Sequence, residues 1–187
     1  MLKASSVSIL KSRYPTMTDF QRAYAAVNIQ AVALAPEKCF LSEDSPALSV
    51  MKATYGNQSP TAWLLSILSQ WQEQIPVQGK MTVMQLHLLA DNIAREFFFL
   101  KASEILLFLA RLTGGAYNIQ WFGQLNPDVI LQTLRTRFMT DRAEALYLAD
   151  IQRRESKPKS EPITWEEHCR RHGKSTENPF DRISFDK

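Results

Sequence analysis

The chain has 187 residues, of which 45% are hydrophobic and 22% charged, enough to bury one sizeable core with a tail left over. Its net charge of +3 is far below the Lys/Arg density of a protein that works by neutralising phosphates, so nucleic acid is permitted and not demanded. The two cysteines, Cys39 and Cys169, lie far apart without CxxC or framework spacing, which excludes a disulfide scaffold and fits a reducing cytoplasm.

Near the start, Lys3 and Lys11 flank no apolar run of the length a signal peptide needs, so export is not expected. The first helix is expected over residues 18–35. Thr18 would cap it, Asp19 would sit at its positive end and Pro36 would stop it. Phe20, Tyr24, Val27, Ala31 and Leu34 form its apolar stripe at three- and four-residue steps. Residues 36–58 lose that period among Pro36, Pro46 and Gly56, and predict a loop with one short helix over 47–54.

Ser59 as cap and Pro60 at the first helical position begin a second long helix. Trp63, Leu64, Ile67, Leu68 and Trp71 share its face, and Pro76 and Gly79 close it. Thr82 and Gln85 have the capping-box spacing, ahead of a stripe of Leu86, Leu89, Ile93 and Phe97. A break is expected at residues 100–104, with Ser103 capping a buried helix that runs to Leu112. Residues 97–112 are the most hydrophobic stretch, yet they carry Lys101, Glu104 and Arg111, which exclude a membrane span of about 20 nearly uncharged residues.

Gly114 or Gly115 supplies the left-handed cap of that helix and opens a loop that also holds Tyr117, Trp121, Phe122 and Gly123. Tyr117, Ile119 and Trp121 alternate, which predicts a short extended segment with one face on the core. The trio Tyr117, Trp121 and Phe122 is the candidate partner-binding surface of the domain. Asn126, Pro127 and Asp128 start the last long helix, continued by Val129, Ile130, Leu134, Phe138, Ala145, Leu148 and Ile151.

The fold class that follows is all-α: a single helical bundle-like domain of about five helices over residues 1–154, with the glycine and aromatic loop. Residues 155–187 form a basic linker and a short docking helix, with nine Lys/Arg against seven Asp/Glu over 151–187. Thr164 and Glu167 cap that helix, Trp165 is its anchor, and it fits the mode in which a helix lies in a partner's groove.

No constellation of catalytic groups emerges. His168 and His172 supply only two ligands of one spacing, so no metal site is expected. GxSxG, Walker and GxGxxG motifs are absent, Gly114 and Gly115 lack the lysine of a phosphate cradle, and no cofactor is implied. Asp128, Asp141, Glu96, Glu104 and Glu144 are accounted for by helix starts and ion pairs. For nucleic acid the candidates are Arg135, Arg137 and Arg142 on the late helix, followed by Arg153 and Arg154. Arg135 and Arg142 share a face while Arg137 does not, and acidic residues interrupt the stripe.

From Gln85 to Arg142 the chain shows Leu100-Lys-Ala-Ser-Glu-Ile105, then Gly115-Ala-Tyr117, Trp121-Phe-Gly123, Asn126-Pro-Asp128 and Leu134-Arg135. This resembles a family of uncharacterised small helical proteins of bacterial genomes and their mobile elements, in which a Lys-Ser-Glu helix start precedes a Gly-Tyr-Gly aromatic loop. The chain's Gly115-Ala116-Tyr117 lacks the second glycine expected near Tyr117. More distantly, the chain is similar to phage and plasmid replisome adaptors and helicase loaders, but without the phosphate loop of the ATP-dependent ones. The resemblance implies a cytoplasmic, non-enzymatic adaptor that binds a protein partner, in replication of a mobile element. Nucleic-acid binding through the late helix and tail is the alternative.

Overall fold

The structure, a computed structural model, describes residues 4–156 together with Glu167, Cys169 and Arg170. Trp165 and nearly all of the expected docking helix lie outside the described residues. The chain divides into two units, Met1–Ala149 and Asp150–Lys187. The protein is helical, and among the described residues pairing of strand type is limited to two single bridges, Ala47 with Lys101 and Gly79 with Gln124.

In chain order the elements are α1 (Ala4–Arg13), α2 (Met17–Ala23), a 3-10 turn (Ala26–Asn28), α3 (Ile29–Ala33), α4 (Pro36–Leu41) and α5 (Leu48–Tyr55). They are followed by α6 (Ser59–Gln74), α7 (Val83–Glu96), α8 (Ala102–Thr113), α9 (Pro127–Thr133), a π-type turn (Leu134–Phe138) and α10 (Met139–Glu155). The core of the first unit is built around α8, whose Ile105, Leu106, Leu107, Phe108 and Leu109 are buried on every side of the cylinder. Such a helix must be enclosed. It is covered by α3 and α4, and the indole Nε1 of Trp71 on α6 donates to Thr113 Oγ1 at its end, at 2.9 Å. The face expected on α6 is the buried one, with Trp63, Leu64, Ile67, Leu68 and Trp71 all in the core.

The first expected helix is not continuous. Thr16, not Thr18, caps α2, because Thr16 and Asp19 complete a reciprocal capping box. The helix ends at Ala23, and Ala25 is extended. The Tyr24 carbonyl, turned out of the helical ladder, accepts from Trp63 Nε1 at 3.0 Å, and Asn28 Nδ2 donates to the Ala23 carbonyl. Phe20 and Tyr24 remain stacked with ring centroids 4.8 Å apart, but Val27 and Leu34 are rotated into solvent. Pro36 opens α4 at its first position rather than merely ending its predecessor, and α1 occupies a stretch in which no helix was expected.

The break before α8 is present, as its residues imply, with a different cap. Ser103 sits inside the helix, and its N–H is met by Ser45 Oγ at 2.9 Å. Lys101 occupies the cap position. Glu104 accepts from its N–H, and the Lys101 ammonium donates to the carbonyls of Phe40 and Ser42. The start of α8 is thus satisfied by the segment after α4, a tertiary arrangement.

Candidate functional site

The loop between α8 and α9 is built from its two ends inward. Gly115 takes the left-handed conformation (φ +72°) that ends α8, while the N–H of Ala116 donates to the Arg111 carbonyl at 3.0 Å. The chain then drives Tyr117 into the core beside Phe108, with centroids 6.3 Å apart. Ile119 and Trp121 follow on the same side, half-buried, and the Trp121 ring meets Trp71 edge-on at 6.5 Å. The inward alternation expected of Tyr117, Ile119 and Trp121 is therefore seen, but the segment is not extended throughout, because Asn118 takes a positive φ (50°) and closes a turn on the Gly115 carbonyl. Phe122 is different: it has a positive φ (46°) and is 88% exposed.

Beyond Phe122 the loop is fastened to the link between α6 and α7. The Gly79 N–H donates to the Gly123 carbonyl at 2.9 Å, and the Leu125 N–H returns to the Gly79 carbonyl at 2.7 Å. A Cβ on residue 79 would lie 2.5 Å from Gln124 Cβ, so this approach requires glycine. Asn126 then caps α9 by accepting from the Asp128 N–H at 2.9 Å.

The other wall of the site comes from the π-type turn after α9. The wider turn keeps Leu134 and Phe138 buried while Arg135, Thr136 and Arg137 stay at the surface, and such turns concentrate at functional sites. Arg137 donates to the Tyr117 carbonyl and so ties the turn to the loop. On the first turn of α10, Asp141 accepts from the Tyr117 hydroxyl at 2.8 Å and from Arg111, whose guanidinium lies 5.6 Å over the Phe40 ring. Burial pushes the Tyr117 phenol above its ordinary value, so it stays protonated throughout the neutral range.

Two clefts flank the Arg137–Tyr117 tie. One, of about 780 Å³, is lined by Phe40, Arg111, Asp141, Glu144 and Leu148 among others. The second, of about 600 Å³, is lined by Ile119, Phe122, Val129, Gln132 and Thr136. Asp141, Arg111 and Tyr117 satisfy one another, an arrangement that shapes a surface and leaves no activated base or nucleophile among these three.

The arginines singled out in the sequence are not brought together. Arg135 grips Glu96 with two bonds of 2.6 Å, and the hydrogen bonding, helped by the charge of the guanidinium, holds that carboxyl below the usual glutamate range. Arg142 donates from Nε to Glu104 at 2.8 Å, Arg137 to the loop, and in the second unit Arg153 and Arg154 both pair with Asp150. Sequence reasoning missed the Phe40, Arg111 and Asp141 cluster. Arg111 and Asp141 are 30 residues apart, and no local spacing marks them as partners.

Among known proteins, the model of a family of unknown function (DUF6633) matches residues 80–176, which is 97 of the 187 and contains the whole of the loop, the π-type turn and α7 to α10. No curated protein and no solved structure matches the chain.

Proposed function

Taking as premise that the chain belongs to the DUF6633 family of unknown function, we propose that it is a non-enzymatic protein-interaction module docking through the 114–126 loop. The observation that carries this reading is Phe122. A large aromatic held in water on a loop tied down at Gly79, Gly123 and Leu125 gives up burial without the freedom to seek it locally. Rigid exposed aromatics are the usual anchors of protein interfaces. The neighbouring cleft sets Ile119, Phe122 and Val129 among polar side chains such as Gln132, Thr136 and Arg137, and offers a partner apolar contact together with hydrogen-bonding groups. The partner suited to this surface presents a small apolar pocket for the Phe122 ring.

The most specific form of the proposal is a cytoplasmic adaptor in replication of a mobile element. It rests on the more distant similarity of a helical domain with such a loop and a basic tail to phage and plasmid replisome adaptors, and any loading role would work by binding alone. The tail extends it: Trp165 would anchor a second contact on the same partner. The test is capture of partners from host extract with the full chain, with Phe122→Ala, and with a chain truncated after Arg154. Phe122→Ala is expected to lose the partner while its stability changes by less than about 0.5 kcal/mol, as for other exposed positions. The same partners in equal yield from the Phe122→Ala variant would overturn the loop as docking face, and from the truncated chain the role of Trp165.

Nucleic-acid binding draws less support, because each of Arg135, Arg137, Arg142, Arg153 and Arg154 already donates within the chain. Salt-sensitive retention on DNA that disappears in Arg135→Gln/Arg153→Gln/Arg154→Gln would replace the adaptor reading.

A further inference from the structure

We propose that the outward ridge of α7 is the contact face of a homodimer, in which Asp91 of each copy pairs with Arg95 of the other. On α7, Leu86, Leu89, Ala90 and Ile93 are buried. At a helical period the residues pointing directly away from that ridge are Met84, Leu88, Asp91 and Arg95, spaced four, three and four apart. Leu88 is 58% exposed, and Phe98, in the turn just past the helix, is 53% exposed. Two large apolar side chains therefore bracket one acid and one base on a face that α7 does not turn to its own core.

The two charges are four residues apart on one helix, a spacing at which they could pair. They do not. The Asp91 carboxylate accepts from Thr61 Oγ1 at 2.9 Å, while the Arg95 guanidinium donates from Nη2 to Asn92 Oδ1 at 2.7 Å and from Nε to the backbone carbonyl of Asp91 at 3.4 Å. Among the described residues neither is in an ion pair.

The order apolar, acid, base, apolar is its own complement when reversed. A two-fold axis crossing α7 at the level of Ile93 sets Asp91 against Arg95 twice and Leu88 against Phe98 twice, which is the form an isologous interface takes. Position 88 is five residues from the axis, about 7.5 Å at the rise of a helix, and Phe98 stands on the other side of the axis in the turn just past the end of α7. A foreign acidic helix would satisfy Arg95 and repel Asp91, and a basic one the reverse, so a second copy fits best. The seat is rigid. The Ser49 N–H donates to the Phe98 carbonyl at 2.8 Å, and Phe98 forms part of the wall of a groove of about 920 Å³ between α5 and α7. A single ridge buries less than the roughly 800 Å² per partner of a standard interface, so the dimer is weak and concentration-dependent.

Sedimentation equilibrium of the full chain at low salt tests this. The mass is expected to rise with concentration from 21.4 kDa toward twice that value. Asp91→Arg alone and Arg95→Asp alone should each stay monomeric, an equimolar mixture of the two should associate, and the Asp91→Arg/Arg95→Asp double variant should self-associate again. Both positions are exposed, so unchanged circular dichroism is expected for all variants. A wild-type chain that stays monomeric overturns the proposal. So do single variants that associate as the wild type does, or a mixture that fails to associate where the wild type succeeds.

Discussion

At the scale of single residues, Glu104 is the one charged side chain that is buried among the described residues. It is fully buried, and its two oxygens serve two elements: Oε2 accepts the Lys101 N–H that opens α8, and Oε1 accepts Nε of Arg142 on α10, each at 2.8 Å. Arg142 keeps 21% of its side chain exposed and lies 5.5 Å over the Phe99 ring. Removing the cation leaves a carboxylate in the core with half its partners, whereas removing both charges leaves little unsatisfied. Arg142→Met, which preserves much of the side-chain volume, is therefore expected to cost about 3 kcal/mol, the low end for a broken buried pair because Arg142 reaches solvent. For a chain of this length that lowers the melting temperature by roughly 6–12 °C. The double variant Arg142→Met/Glu104→Gln should lose less than the two single losses added together. A thermal melt of Arg142→Met within about 1 °C of the wild type would show that the pair contributes nothing. The contrast is Arg135 with Glu96, whose bonds are shorter but whose side chains are 46% and 39% exposed; water screens that pair, and its loss should leave the melt nearly unchanged.

At the scale of elements, the far end of the glycine and aromatic loop is fastened by Gly79, a residue outside it. Ala at 79 would push Gln124 and the Gly123 carbonyl away, since the added carbon meets them at 2.5 and 3.1 Å, and both backbone bonds across the link depend on that approach. Gly79→Ala is expected to cost about 1–3 kcal/mol, as overpacking usually does. It should also speed hydrogen exchange at the Leu125 and Gly79 amides relative to those of α8. Unchanged protection at Leu125 would mean that the loop is held elsewhere. The neighbouring elements show what a sequence discloses. Thr82 with Gln85, Asn126 with Asp128, and the glycine pair after Thr113 declare their caps because the chemistry lies within three or four residues. The helix from Phe20 to Leu34 misleads because its stripe is locally sound. Where it breaks at Tyr24, the indole of Trp63, 39 residues away, takes the freed carbonyl, a partner that no local spacing announces. Likewise nothing in Leu-Arg-Thr-Arg-Phe marks a π-type turn, and the Arg111–Asp141 pair exists only once α8 and α10 are side by side. The docking trio was legible as a group of aromatics; that Tyr117 and Trp121 turn inward while Phe122 faces water is decided by the backbone at 118 and 122, both at positive φ.

At the scale of the molecule, the match to the family begins at residue 80, between α6 and α7, yet the core does not divide there. The strongest packing in the first unit joins α6 to α7 and α3 to α8, and so crosses that boundary. Trp71, also before the boundary, donates to Leu109 and Thr113 on α8. A fragment of residues 80–187 would return Leu86, Leu89 and Ile93 of α7 to water. At about 1.5–3 kcal/mol for each buried side chain, these three alone amount to roughly 5–9 kcal/mol. That is comparable with the whole stability of a typical domain, about 5–15 kcal/mol, before the exposed faces of α8 are considered. The fragment is therefore expected to keep helical circular dichroism but lose a cooperative melt and bind a hydrophobic dye, while the full chain melts in one sharp transition. A sharp, dye-free melt of the fragment would instead make residues 80–176 a self-sufficient unit. In that event Trp63 and Trp71 would belong to an accessory layer, and the Gly79 tether would join two folding units instead of lying within one.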